Sequence, residues 1–214
     1  MTKGRPLTHS REKLLEKGIE LFHQHGYHGT GLTTILDACQ VSKGSFYNFF
    51  DSKEAYAVAV IEFYQALEID RWNHEFAQFE GSHFVKLRKA IEQMIEELDS
   101  CNENVGCLIA NLSGEIGNAS PALRQAIKDA TDRVIKLMAE DFLICQTEGS
   151  VRTDLSANIL AQMVWDCWQG ALLRMKVEDS RKPLRQTLAL MWEHILIPQP
   201  PSFTEPDQTK ETLA

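Results

Sequence analysis

The sequence predicts an all-α layout: a three-helix head at the N-terminus and a larger body of about six helices. Three observations predict it. Apolar residues recur with helical period along nearly the whole chain, and no stretch alternates as a strand does. Helix boundaries are marked by cap chemistry, with Asp51-Ser52 and Ser120-Pro121 at starts and Gly26 and Gly149 at ends. Residues 31–50 read as two very short helices joined by a three-residue turn. That is the outline of a helix-turn-helix whose second helix offers its first turn to the major groove of DNA.

Residues 1–9 form a polar, basic arm. The first helix runs from about Ser10 to His25, with Leu15, Ile19 and Phe22 on one stripe, Leu14, Gly18 and Leu21 beside it, and Gly26 as its stop. The second, about Leu32 to Cys39, buries Ile35, Leu36 and Cys39. Gln40-Val41-Ser42 makes the corner, with Val41 turned into the core. Ser42 is the N-cap of the third helix, because its hydroxyl accepts an orphan amide of that first turn. Lys43-Gly44-Ser45 then opens the third helix with small, polar and positive residues where a core helix would be bulky. Phe46 and Phe50, four apart, face inward with Val41. A long fourth helix follows from Lys53 to about Phe79. It is apolar on several faces (Ala57, Val58, Val60, Ile61, Phe63, Tyr64, Leu67), which wedges it between neighbours and makes it the mechanical link to the body.

Gly81-Ser82 breaks the pattern, and a fifth helix covers about Ser82 to Cys101. A loop at 102–106 leads to a short apolar helix, Cys107 to Ile116. The seventh helix starts at Pro121 and reaches about Glu148; the eighth spans Ser156 to about Val177 and the ninth Pro183 to about Leu196. In the ninth, Leu184, Leu188, Met191 and Ile195 form a stripe. In the eighth, Leu160, Val164, Cys167 and Ala171 form another, with Met163, Trp165, Trp168 and Leu172 on other faces. One face is expected to serve the subunit core and the other a second copy, with Gly170-Ala171 admitting a close backbone. The prediction is a two-fold homodimer built on a four-helix bundle of the last two helices. The expected units are a head at 1–52, an effector-binding and dimerisation body at 53–197, and a disordered tail at 198–214.

An apolar content of 43% supports a real core, and no apolar run is long enough to span a bilayer. A soluble cytoplasmic protein without a membrane partner is expected. The net charge of −8 is unevenly spread: residues 1–53 hold seven Lys or Arg against five Asp or Glu, leaving an acidic body. A slightly basic head on an acidic body suits a DNA reader carried by a regulatory unit. Five cysteines without Cys-x-x-Cys spacing are not a disulfide framework. His9, His23, His25 and His28 cluster in sequence, but His23 and His25 face different sides of a helix, so no metal site is expected. Gly26-x-x-Gly29-x-Gly31 follows no strand and is not a dinucleotide fingerprint. Neither a catalytic constellation nor a cofactor motif appears, so neither an enzyme nor a cofactor is expected.

Gly26-Tyr27-x-x-Thr30, with Ile35-x-x-Ala38-x-x-Val41-Ser42-Lys43-Gly44-Ser45-Phe46-Tyr47-x-x-Phe50-x-Ser52-Lys53-Glu54, resembles the DNA-binding head of TetR-family transcriptional regulators. The resemblance covers nearly all of residues 10–56. It implies an all-helical dimer, and in most members a repressor released from its operator by a small molecule. It also implies that Tyr47 and Lys53 contact phosphates, Lys53 at a helix start where amides favour an anion. Thr33, Ser42 and Ser45 become hydroxyl donors to the DNA backbone. Lys43 is the base-reading candidate, since its ammonium reaches guanine O6 and N7. Gly44 lets the helix approach the groove floor, and Asn48 reads adenine or bonds a phosphate where family members often carry His or Tyr. Lys3 and Arg5 are candidates for the adjacent minor groove. A dimer places two such helices one DNA turn apart, roughly 34 Å, on a near-palindromic operator of double-stranded DNA.

In the body, Gly106-Cys107-Leu108-Ile109-Ala110-Asn111 resembles a Gly-Cys-Leu-x-x-Asn signature in one branch of the family. That branch includes regulators of reductases that detoxify electrophiles such as N-ethylmaleimide and reactive aldehydes, and others answering acrylate-like compounds. By resemblance Cys107 is the redox or electrophile sensor, with Asn111 in the same motif. A thiol at a helix start is expected to have a lowered pKa, with Lys86, Arg88 or Lys89 as candidate helpers and Cys101 as a candidate resolving partner. The residues leave two alternatives open. Cys107 is a small buried hydrophobe, or the effector binds reversibly among Trp72, Phe76, Met138, Trp165, Trp168 and Met175. Activation in place of repression, and a helix-turn-helix adaptor that contacts only protein, also stay open.

Overall fold

The computed structural model describes residues 11–98, the backbone of 99–100, and residues 106–116 and 120–198. The basic arm with Lys3 and Arg5, Cys101 and the proline-bearing tail lie outside the described residues. Among the described residues there are helices and no strand. The head holds α1 (Arg11–Gly29), α2 (Leu32–Cys39) and α3 (Lys43–Tyr47). Gly26, with φ 68° and ψ 179°, interrupts α1 where the sequence placed its stop, and one further turn follows. Thr30 closes that kink: its buried hydroxyl donates to the Gly26 carbonyl at 2.7 Å.

The corner after α2 forms because Gln40 takes a left-handed φ of 55° and the Val41 N–H reaches back to the Leu36 carbonyl at 3.0 Å. Val41 is buried as expected, and so are Phe46 and Phe50. Leu36 and Cys39 are only half-buried, a correction: an eight-residue helix has a single fully covered position, and Ile35 holds it.

Helix α4 (Lys53–Phe76) is shorter than expected, its last turns opening at residues 77–79. Its N-terminal half anchors the head. The Tyr56 ring lies 4.9 Å from that of Phe50, 5.3 Å from Phe46 and 5.9 Å from Phe22, and its hydroxyl donates to the Leu14 carbonyl at 2.6 Å. Helices α1 and α4 cross at Gly18, where a Cβ would lie 2.4 Å from the Tyr56 hydroxyl. Only glycine fits that crossing.

The body comprises α5 (His83–Ser100), α6 (Leu108–Ile116), α7 (Pro121–Thr147), α8 (Ala157–Glu178) and α9 (Lys182–Leu190), which continues as a π-helical turn, Met191–Ile195. The caps predicted at Ser52 and Ser120 accept the N–H of Ala55 and Leu123. Two apolar cores result. The first runs from the head through Ala57, Val60 and Ile61 of α4 into Leu108, Leu112 and Ile116 of α6 and Leu123 of α7. The second joins α5, α7, α8 and α9 around Leu160, Val164, Leu172, Met175 and Leu184.

On α8, Cys167 is exposed, correcting its place in the inner stripe. Trp168, one residue on, is half-buried against the second core and occupies that position. Large apolar side chains on the last two helices stay uncovered within one subunit: Leu173 is 50% exposed, Val177 87% and Leu190 54%. A Cβ on Gly170 would meet nothing within 4 Å, so no neighbour inside the subunit requires that glycine.

Candidate DNA-reading surface and thiol site

Ser42 starts α3 by accepting the Ser45 N–H at 3.1 Å, and the two hydroxyls lie 2.9 Å apart. This cap turns the first turn of α3 outward. Thr33, Ser42, Lys43, Gly44, Tyr47 and Asn48 are all exposed and Ser45 is half-buried, so the predicted reading residues of the head share the accessible side of the helix-turn-helix. Tyr47 stands on the buried Phe46 ring at 5.6 Å and keeps its own ring 42% exposed, with the Lys43 ammonium 6.0 Å above it. Asn48 is the C-cap of α3, its N–H bonding the Gly44 carbonyl at 3.1 Å. A Cβ on Gly44 would find only Ser42 Oγ, at 3.9 Å. The fold therefore gives no reason for glycine there.

Lys53 sits differently from its neighbours. Its Nζ donates to the Tyr27 carbonyl at 2.6 Å and lies 4.2 Å from the Tyr27 ring centre. Burial lowers its pKa, opposed by the Glu115 carboxylate. It clasps the end of α1 to the start of α4 while its ammonium keeps further N–H groups.

Cys107 precedes α6 and packs against both apolar cores. Burial of the thiol pushes its pKa up. The amides of Ala110 and Ile109, the Gln169 side chain and the Tyr64 hydroxyl pull the other way, in that order. The expected lowering by the helix start is thus present but outweighed, because the sulfur has left water. The expected cationic helpers are also corrected. Lys86 lies over the Phe76 ring at 5.6 Å, Arg88 pairs with Glu92 at 2.8 Å, and Lys89 reaches toward the Glu80 carbonyl at 3.5 Å. The cation beside Cys107 is Lys176, from the far end of α8. Its pKa is lowered by burial and raised by the Cys107 charge.

Gly106 explains its place in the motif. It has φ 64°, and a Cβ there would lie 2.9 Å from Lys176 Cε. Lys176 Nζ then donates to Asn111 Oδ1 at 2.6 Å, and Asn111 Nδ2 lies 3.5 Å from His23 Nδ1 in the head. One helical turn further, Glu115 accepts the His28 N–H at 3.3 Å and fills the space a Gly26 side chain would need. Helix α6 therefore carries the thiol at one end and touches the head at Asn111 and Glu115.

The candidate pocket walls are spread through the body. Trp72 and Phe76 stack at 6.1 Å, Met138 and Trp168 are half-buried against the second core, Trp165 is half-buried, and Met175 is fully buried. A surface depression along α7 and the start of α8, and another between α5 and α9, are lined by none of them. Tyr64, Gln169, Lys176, His23 and Glu115 were not read as residues of the thiol site from sequence. One signal existed: Gln169 and Lys176 are seven apart, hence on one face of a helix otherwise rich in apolar residues.

A helix-turn-helix with its reading turn exposed, packed onto an all-helical body, defines a DNA-binding transcriptional regulator. The N-terminal family model described as bacterial regulatory proteins, tetR family, matches residues 14–60, and a tetracyclin repressor-like C-terminal domain matches residues 84–191. The chain is similar to the HTH-type transcriptional repressor DhaR of Mycobacterium sp. (strain GP1), 35% identical over 87% of this chain and 92% of that protein. It is similar to the HTH-type transcriptional repressor NemR of Escherichia coli (strain K12), 32% identical over 84% of this chain and 90% of that one. The crystal structure of E. coli NemR in its reduced form superposes with a TM-score of 0.80 at 31% identity, covering 87% of this chain and 96% of that one. The chain belongs to the TetR family. Among the described residues, no helix is long and apolar enough to cross a membrane.

Proposed function

We propose that this regulator is a dimeric repressor, working in the cytoplasm, that leaves its operator when Cys107 reacts with an electrophile. The observation that carries the reading is the position of Cys107, packed at once against the head's core and the body's core. An adduct on that sulfur cannot be accommodated without moving α6 against α1. The path to DNA is short: Lys176 and Asn111 meet at one end of α6, Asn111 and Glu115 meet the head, and Glu115 faces the turn whose Tyr27 carbonyl holds Lys53. Release then follows because the adduct fits the DNA-free arrangement better than the DNA-bound one.

On the operator, Lys43 reads base edges, and Tyr47, Thr33, Ser42, Ser45 and the remaining Lys53 N–H groups hold phosphates. Asn48 tunes the operator, and Lys3 and Arg5 enter the minor groove. Repression is supported by the similarity to DhaR and NemR, both transcriptional repressors. Two subunits join through the exposed Leu173, Val177 and Leu190 face, and functionally the chain divides into a head at 1–52 and a sensing and pairing body at 53–197. Burial of the Cys107 thiol favours one second reading, release by a reversible apolar ligand held among the body helices.

Fluorescence anisotropy of the reduced protein on the DNA upstream of its own gene distinguishes the two, with and without N-ethylmaleimide, for wild type and Cys107→Ser. Tight, salt-sensitive binding lost only in alkylated wild type is the expected result. Binding indifferent to the reagent rejects the thiol sensor and leaves the ligand-released repressor. Absence of binding to any DNA rejects both.

A further inference from the structure

Gln169 projects from α8 toward the thiol site. Its Nε2 and Oε1 are both shut off from solvent and make no hydrogen bond. Buried polar groups ordinarily find partners, so an unpaired amide marks a place where one is missing. The same side chain lies within reach of the Cys107 sulfur. Of the other groups there, the Tyr64 hydroxyl accepts the Leu108 N–H at 3.4 Å and Lys176 donates to Asn111. Apart from its approach to the Cys107 sulfur, the Gln169 amide has no partner.

We propose, on the reading of Cys107 as the sensor, that the Gln169 side-chain amide is the carbonyl-binding group of this site, which makes the site selective for conjugated carbonyl electrophiles. Such a molecule carries an acceptor oxygen at a fixed distance from the carbon that sulfur attacks. The thiol proton passes to the unprotonated fraction of Lys176 or to water, and the sulfur pair forms the C–S bond at the β-carbon. The C=C π pair shifts toward the carbonyl and gives an enolate, whose oxygen accepts the Gln169 N–H. Proton return to the α-carbon completes the addition of S–H across the double bond, and nothing is oxidised or reduced. The donor matters most as charge develops on oxygen. An electrophile without a carbonyl has nothing to place there.

The test measures alkylation of Cys107 in the full-length reduced protein by peptide-resolved mass spectrometry, with methyl vinyl ketone and with methyl iodide. Both alkylate the same sulfur, and only the first presents an acceptor oxygen. Gln169→Leu and Gln169→Met are expected to slow the ketone about tenfold or more, with the methyl iodide rate kept within about twofold and operator binding intact as the check on folding. Equal losses with both reagents mean that Gln169 acts on thiol ionisation alone, which overturns the carbonyl-binding role. Unchanged rates with both overturn it as well. A wild-type Cys107 inert to both reagents instead sinks the sensor reading itself, a result separable from a Gln169-independent reaction.

Discussion

Lys43 is an exposed ammonium at the start of a helix whose next residue is a glycine that the fold does not need. Its replacement by Ala is expected to weaken operator binding by about 1–3 kcal/mol and binding to unrelated DNA far less. Equal losses on operator and scrambled duplexes, read by anisotropy at one salt concentration, reassign Lys43 to a phosphate. Cys107 illustrates how two local effects compete at one atom. Helix-start amides favour the thiolate, burial favours the thiol, and burial wins. The thiolate fraction is therefore small at neutral pH, and the alkylation rate is expected to rise about tenfold per pH unit from about 7 toward the ordinary thiol value. A rate plateau below pH 8 shows the amides prevailing.

On the thiol-sensor reading helix α6 is a short lever, its two ends fastened to different things. Its start holds Cys107 beneath Lys176, and its polar side chains Asn111 and Glu115 meet α1. Asn111→Leu removes both the acceptor for Lys176 and the contact to His23. Alkylation of Cys107 is then expected to proceed while the accompanying drop in operator affinity shrinks several-fold, measured by mass spectrometry and anisotropy on the same samples. Full release in the variant moves the coupling to Glu115 and the apolar contacts of α6. The crossing of α1 and α4 is close enough at Gly18 for the Tyr56 hydroxyl to reach the Leu14 carbonyl.

The subunit leaves Leu173, Val177 and Leu190 uncovered on its last two helices. A patch of this kind is a place for association. Leu173→Glu is expected to convert dimers to monomers in light scattering and to weaken operator binding, because two heads no longer bind as one unit. A dimeric Leu173→Glu protein places the interface elsewhere. The molecule also has a built-in alkaline limit. Cys145 is fully buried and its thiol is pushed up to about 12, from an ordinary value of 9.0. Below pH 9 the thiol is protonated folded or unfolded; above it, the unfolded chain releases a proton that the folded chain keeps. Stability therefore falls as pH rises from about 9 toward 12. Thermal melts should drop over that window, and less so in Cys145→Ala once its lower starting stability is subtracted.

Local rules made much of this protein legible without coordinates. Helical period, the caps at Ser42, Ser52 and Ser120 and the glycine stop at Gly26 depend on neighbours within four residues, so the order of helices and the exposed first turn of α3 followed from sequence. The inward Phe46 and Phe50 followed for the same reason. The thiol site was different. Cys107 was visible in its motif, but its surroundings come from residues 43 positions before it and 62 and 69 after it, namely Tyr64, Gln169 and Lys176. Which of several lysines reaches a thiol, and whether burial or a helix start governs its pKa, depends on how α4, α6 and α8 pack. Tertiary structure alone decided that, because electrostatic energies in a core depend on distance and access of water, and sequence separation specifies neither.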